Sequence, residues 1–188
     1  MAPSDDVRIL VVCSANQCRS PLAAAALRAH AAERGLPVRV ASAGVLAVPG
    51  SAATSSTIDA GRRRGLDLAD HQSRRVDARL VAGADLVIGL ERAHVRELVV
   101  LQPSSFPRTF TLRELARRAA DVGPRAPDES MAQWLARAQA GRRPTDMLGT
   151  SPDDDVADPT VSRSVDHLTM AEELDRLADQ VLGLLFPP

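Results

Sequence analysis

A chain of 188 residues with 45% hydrophobic side chains and a net charge of −1 at pH 7 is long and apolar enough for one domain with a real core, and no composition break divides it. It holds no apolar run long enough to span a bilayer, and its start, Met1 to Asp6, is polar and acidic, unlike a secretory leader. The 23 basic residues are all arginine, but with one Trp, three Phe and no Tyr the stacking partners of a nucleic-acid surface are nearly absent, so neither nucleic acid nor membrane is expected as a partner.

In chain order, the β-branched run Val7 to Val12 predicts a first strand, and the alanine-rich stretch from about Ser20 to Glu33 a helix stopped by Gly35. Between them lies Cys13-Ser14-Ala15-Asn16-Gln17-Cys18-Arg19, with no large apolar residue. A second strand is expected over Val38 to Ser42, which makes strand, helix and strand a right-handed parallel βαβ unit. Residues 45 to 55 read as a loop forming one wall of the site, 57 to 64 as a helix, and 77 to 82 as a short helix. The nearly continuous apolar run Asp85 to Leu90 predicts a strand covered on both faces, followed by a helix from Arg92 to about Leu101. A fourth strand is expected around Arg108 to Phe110, and Thr111 to Glu114 forms a capping box opening a helix to about Ala120. Residues 121 to 128 read as a loop, and Glu129 to Ala140 as a helix with Met131, Trp134, Leu135 and Ala138 on one face. Gly141 to Asp155 is polar and expected to be mobile, with Asp153, Asp154 and Asp155 solvated. Leu168, Leu174, Leu177, Val181 and Leu184 place a closing helix over Val165 to Leu185. The pairs and triplets Arg62-Arg63-Arg64, Arg74-Arg75 and Arg142-Arg143 are expected on solvated helix faces. The fold class is α/β: a single domain with a four-stranded parallel sheet, helices on both faces and a phosphate-binding loop after strand 1.

A strand–loop–helix junction gathers loop amides and a helix N-terminus at one point, where an anion is stabilised. Pro21 suits the first turn, since its missing N–H has no partner there. Cys13 at the end of the strand is a soft nucleophile, and Arg19 at the end of the loop a planar clamp for two oxyanion oxygens. Oriented amides and a neighbouring guanidinium favour the thiolate of Cys13. Asn16 tolerates the left-handed backbone that a tight cradle demands. No metal or other cofactor is expected, because no HExxH or paired CxxC is present and His30, His71, His94 and His167 are scattered. Two cysteines five residues apart cannot staple this fold, and a nucleophilic thiol favours the reducing cytoplasm.

The stretch Val12 to Pro21 resembles the signature loop of the low-molecular-weight protein tyrosine phosphatases. Further similarities are Ser42-Ala43-Gly44, His71 after Gly65-Leu66-Asp67, Glu91-Arg92-Ala93-His94, and Asp158-Pro159 near the C-terminus. The resemblance covers most of the chain, with residues 113–155 as an insertion. It implies a metal-independent phosphomonoesterase working through a phosphocysteine on Cys13. Residues Ser14, Ala15, Asn16, Gln17, Cys18 and Arg19 would then hold phosphate, and Asp158 would be the general acid, preferred over Asp153 to Asp155. It also implies that Ser20 donates to the Cys13 sulfur, and that Ser42 and His71 hold Asn16. Cys18 has two readings, a reversible disulfide with Cys13 or a small packing residue.

Family members acting on phosphotyrosine flank the slot with aromatics. Here the matching stretches are Val45 to Gly50 and Thr160-Val161. The expected substrate is a phosphorylated protein or a small phosphomonoester. Two alternatives stand beside it: an arsenate reductase on the same fold, disfavoured by the lack of any Cys after Cys18, and a non-catalytic phosphate-binding module.

Overall fold

The computed structural model describes residues 6–162 and 165–187. Four strands, β1 (Val7–Cys13), β2 (Val38–Gly44), β3 (Leu86–Gly89) and β4 (Thr109–Thr111), form one parallel sheet in the order β2-β1-β3-β4. The helices are α1 (Arg19–Glu33), α2 (Ser55–Arg63), α3 (Ala78–Ala82), α4 (Arg92–Leu101), α5 (Leu112–Val122), α6 (Met131–Gln139) and α7 (His167–Leu185).

Side chains alternate across β1, so Ile9, Val11 and Cys13 face a large apolar layer that includes residues of α1, α5, α6 and α7, while Leu10 and Val12 face a smaller one with Val81, Val87 and Leu98. That two-sided burial explains the unbroken apolar runs of β1 and β3. Because the strands are parallel, their C-terminal ends share one edge. The chain leaves β1 for β2 on one side, whereas β3 lies on the other, and this divergence opens a crevice where ligands of α/β sheets lodge. Cys13 is the last residue of β1 and sits in that crevice.

The Thr111 capping box forms as expected, and a second one, Ser130 with Gln133, opens α6. Trp134 is fully buried and donates from Nε1 to the Gly123 carbonyl at 3.0 Å, a packing anchor.

Some expectations fail. The segment 141–155 is a packed strap rather than a mobile loop: it contains a 3-10 turn over Pro144–Met147, and Met147 packs with Val95 and Phe106. Arg142 is buried in it, bonded to Glu114 at 2.6 and 3.0 Å and stacked over Phe110 and Phe106. Its guanidinium is therefore a core cation and not part of a solvated face, although Arg143 is exposed. Asp154 is likewise buried, because Arg92 and Arg117 converge on its carboxylate at 2.7 and 2.8 Å. In α7, Leu168 is partly exposed, and the inward face begins with Met170 and Ala171.

Candidate active site

From Cys13 the chain turns through Asn16, whose φ of 56° is the left-handed bend expected of this residue. Its buried side chain holds the loop from three directions. Nδ2 donates to Ser20 Oγ and Ser42 Oγ, each at 3.0 Å, and Oδ1 accepts from the Arg74 amide at 2.9 Å. The Asn16 carbonyl accepts from Ser73 Oγ at 2.7 Å and lies 2.7 Å from His71 Nε2. Val45 and Leu46 donate their amides to the Cys13 and Ser14 carbonyls, and Thr54 donates to that of Gln17, so the 45–54 segment does wall the loop. Gly44 has no alternative, because a Cβ there would stand 2.5 Å from the Ser14 carbonyl oxygen and 2.8 Å from the Asn16 nitrogen.

With the carbonyls turned outward, the amides of residues 15–18 donate to no acceptor among the described residues. They and the N-terminus of α1 form a concentration of partial positive charge. Cys13 Sγ lies 3.0 Å from Ser20 Oγ, whose single hydroxyl proton has two acceptors within reach, that sulfur and the Ala43 carbonyl at 3.2 Å.

Arg19, almost fully buried, carries the formal charge. Its Nη1 bonds Glu91 Oε1 and the Val156 carbonyl, the latter at 3.1 Å, and its Nη2 bonds Asp158 Oδ2 at 2.7 Å. Burial alone would push this guanidinium down, but Glu91, Asp158 and Cys13 together hold it above its ordinary value. Burial would push the Asp158 carboxyl up. Thr160, donating through amide and hydroxyl at 2.9 and 2.6 Å, together with Arg19 and His167, outweighs that and holds it below the usual carboxylate range.

Cys18 is a buried free thiol with its sulfur 3.9 Å from Met170 Sδ, and burial pushes it up to about 11. Its position inside the main core cluster matches the packing reading. Among the described residues no group of three His, Cys, Asp or Glu is placed to hold a metal ion.

Known proteins share this fold. The family model of the low molecular weight phosphotyrosine protein phosphatases matches residues 8–128. The chain belongs to that family. It is 35% identical over 134 residues, 71% of this chain and 89% of the relative, to a probable low molecular weight protein-tyrosine-phosphatase, EpsP, of Ralstonia solanacearum. It is 36% identical over 107 residues, 56% of this chain and 70% of the relative, to the protein-arginine-phosphatase of Bacillus subtilis strain 168. A low molecular weight protein tyrosine phosphatase from T. tengcongensis superposes with a TM-score of 0.72 at 27% identity, covering 96% of this chain and 100% of that one. The YwlE arginine phosphatase from Geobacillus stearothermophilus does so with 0.66 at 27% identity, covering 93% and 90%. The fold and enzyme class expected from the opening loop hold: this is a cysteine-dependent low molecular weight phosphatase.

Cys13, Arg19 and Asp158 of this phosphatase meet at one crevice, as do Ser20, Ser42 and His71 around Asn16. Asp153 to Asp155 do not share it: Asp154 serves Arg92 and Arg117, and Asp155 accepts from the Arg92 and Ser151 amides. Sequence reasoning missed the direct grip of Glu91 and Asp158 on Arg19, the Ser73 and Arg74 contacts to Asn16, and His94, 3.0 Å from Ser14 Oγ. Glu91 to His94 marks the family resemblance, yet no spacing rule ties those residues to particular atoms of the loop.

Proposed function

We propose that this phosphatase hydrolyses phosphorylated protein side chains through a phosphocysteine formed on Cys13. The sulfur attacks phosphorus in line, the bond to the leaving atom breaks, and Asp158 gives that atom its proton. Arg19 and the amides of Ser14, Ala15, Asn16, Gln17 and Cys18 hold the three equatorial oxygens. In the second step Asp158 takes a proton from water as its oxygen attacks phosphorus, which frees phosphate and the thiolate. Ser20 stabilises that thiolate, and Ser42 and His71 keep Asn16 and hence the cradle in shape. The reading rests above all on one observation: Arg19, six residues from the nucleophile, is bonded directly to Asp158 across 139 residues of chain.

The rim bears on the substrate. Phe106, Phe110 and Trp134 are in the core and Phe186 lies under Arg125, so the exposed apolar groups beside the loop and Asp158 are Leu46 (69%), Val48 (66%) and Val161 (82%). Stacking on a phenyl ring, worth roughly 0.5 to 1.5 kcal/mol, is not on offer. Together with the 36% identity to a protein-arginine-phosphatase, this favours phosphoarginine as a second reading beside phosphotyrosine.

The whole chain is read as one domain in which residues 113–155 are an insertion, supported by the way Trp134, Arg142 and Asp154 tie that segment to the core. Two unpaired thiols support the cytoplasm as its compartment, and no helix among the described residues is long and apolar enough to cross a membrane.

Turnover of p-nitrophenyl phosphate without metal, lost in Cys13→Ser and depressed in Asp158→Ala, is the expected result. Peptides bearing phosphotyrosine or phosphoarginine then separate the two substrates. Thiol-dependent arsenate reduction without phosphatase turnover, or phosphate binding without either, would overturn the assignment.

A further inference from the structure

The start of α4 reaches the phosphate loop twice: Glu91, its N-cap, bonds Arg19, and His94, three residues on, places Nε2 3.0 Å from Ser14 Oγ. Ser14 follows the nucleophile directly. His94 is buried, and Gly89 makes room for it, since a Cβ there would lie 3.1 Å from the His94 Cβ. Its other ring nitrogen, Nδ1, is buried with no hydrogen-bond partner.

That unpartnered atom fixes the direction of the Ser14 bond. Orphaned N–H groups are among the rarest features of protein interiors, so the ring proton belongs on Nε2, where it has an acceptor, and Nδ1 is left as a bare lone pair. His94 therefore donates to Ser14 Oγ, and the hydroxyl keeps its own proton for something else. Among the described residues no second partner accepts it. Ser14 is only half-buried, and it directly follows the nucleophile in the loop.

We propose that His94 is a positioning residue: by donating to Ser14 it turns the Ser14 hydroxyl proton toward the anion in the loop, so that Ser14 adds a neutral donor to a phosphoryl oxygen. This rests on the phosphate-holding role given above to residues 14–19. The imidazole can serve over a wide pH range because it stays neutral. Burial pushes it down to about 3; of the charges that face it, Arg19 of α1 and Arg96 of α4 act in the same direction and Asp155 and Asp158 oppose them.

Inorganic phosphate is the probe, with its dissociation constant measured by titration calorimetry on the full chain. Ser14→Ala and His94→Leu should each weaken binding about tenfold, as expected for a hydrogen bond to a charged group. The double variant should be no weaker than Ser14→Ala alone, and His94→Gln, whose amide N–H reaches the Nε2 position, should restore most of the loss. The ratio of wild-type to Ser14→Ala kcat/KM for p-nitrophenyl phosphate should stay flat from pH 5 to 7.5. Unchanged binding in Ser14→Ala, losses that multiply in the double variant, or an inflection of that ratio near the ordinary imidazole pKa of about 6.5 would overturn the proposal. If His94→Leu does not fold, Ser14→Ala and His94→Gln still decide. A wild type that fails to bind phosphate would sink the role of the loop along with the proposal. Binding lost in Arg19→Met but untouched in Ser14→Ala would sink the proposal alone.

Discussion

Asn16 offers the sharpest test of how this loop is held. Its side chain makes three hydrogen bonds, to Ser20, Ser42 and the Arg74 amide, all at 2.9 to 3.0 Å and from a position with no solvent exposure. At about 1 kcal/mol net apiece, their loss comes to about 3 kcal/mol. Backbone strain adds to this in an L-residue without a local polar group, because the left-handed region costs about 1 to 2 kcal/mol. Asn16→Gly removes the bonds and keeps φ 56° accessible, so it should cost about 2 to 3 kcal/mol. Asn16→Ala adds the strain and should cost about 4 kcal/mol.

Urea unfolding followed by the fluorescence of Trp134, the single tryptophan, reads both variants without a label. Because the same Nδ2 orients Ser20, whose hydroxyl faces Cys13, kcat/KM should fall in both variants even well below the unfolding midpoint. Equal stabilities for the Gly and Ala variants would show that the backbone carries no strain. A loss under 1 kcal/mol in either would refute the picture of Asn16 as the pin of the loop.

Gly44→Ala should abolish phosphate binding with the rest of the sheet intact, since its Cβ would collide with the loop backbone at 2.5 Å; a bound phosphate seen by titration would refute this. Asp158→Asn should lower kcat by about 10²- to 10⁴-fold on an alkyl phosphate, whose leaving group needs the proton, and much less on p-nitrophenyl phosphate. Arg142→Met should cost about 3 to 5 kcal/mol in thermal or urea unfolding, because the buried Glu114 carboxylate loses its closest partner. His94, held at about 3 against an ordinary value near 6.5, binds a proton in the unfolded chain before the folded one. Its contribution is therefore present above pH 6.5 and falls with acidification by up to about 1.4 kcal/mol per pH unit, and His94→Gln should flatten the stability curve between pH 6.5 and 4.5.

The parts of this architecture written locally were legible in the sequence. The apolar runs of β1 and β3, the Thr111 capping box and the Cys13-to-Arg19 loop each declare themselves within a dozen residues. The strap at 141–155 did not, because its polar composition is the same whether its charges face water or each other. Glu114, 28 residues before Arg142, and Arg92 and Arg117, 62 and 37 residues before Asp154, make the difference. Leu168 shows the converse: it sits at helical spacing, yet the start of α7 overhangs the core and leaves it partly exposed.

Arg19 ties the resting site to the proposed reaction. A buried guanidinium needs compensating charge, and in this structure Glu91 and Asp158 supply it. A phosphoryl dianion entering the loop brings two negative charges to the same fork, so it must displace or share what the carboxylates hold. As Arg19 turns its charge to the phosphate, Asp158 loses one of the interactions that keep its proton off and gains a negative neighbour. Both changes raise its pKa. Substrate binding would thus itself produce the protonated acid that the first step requires.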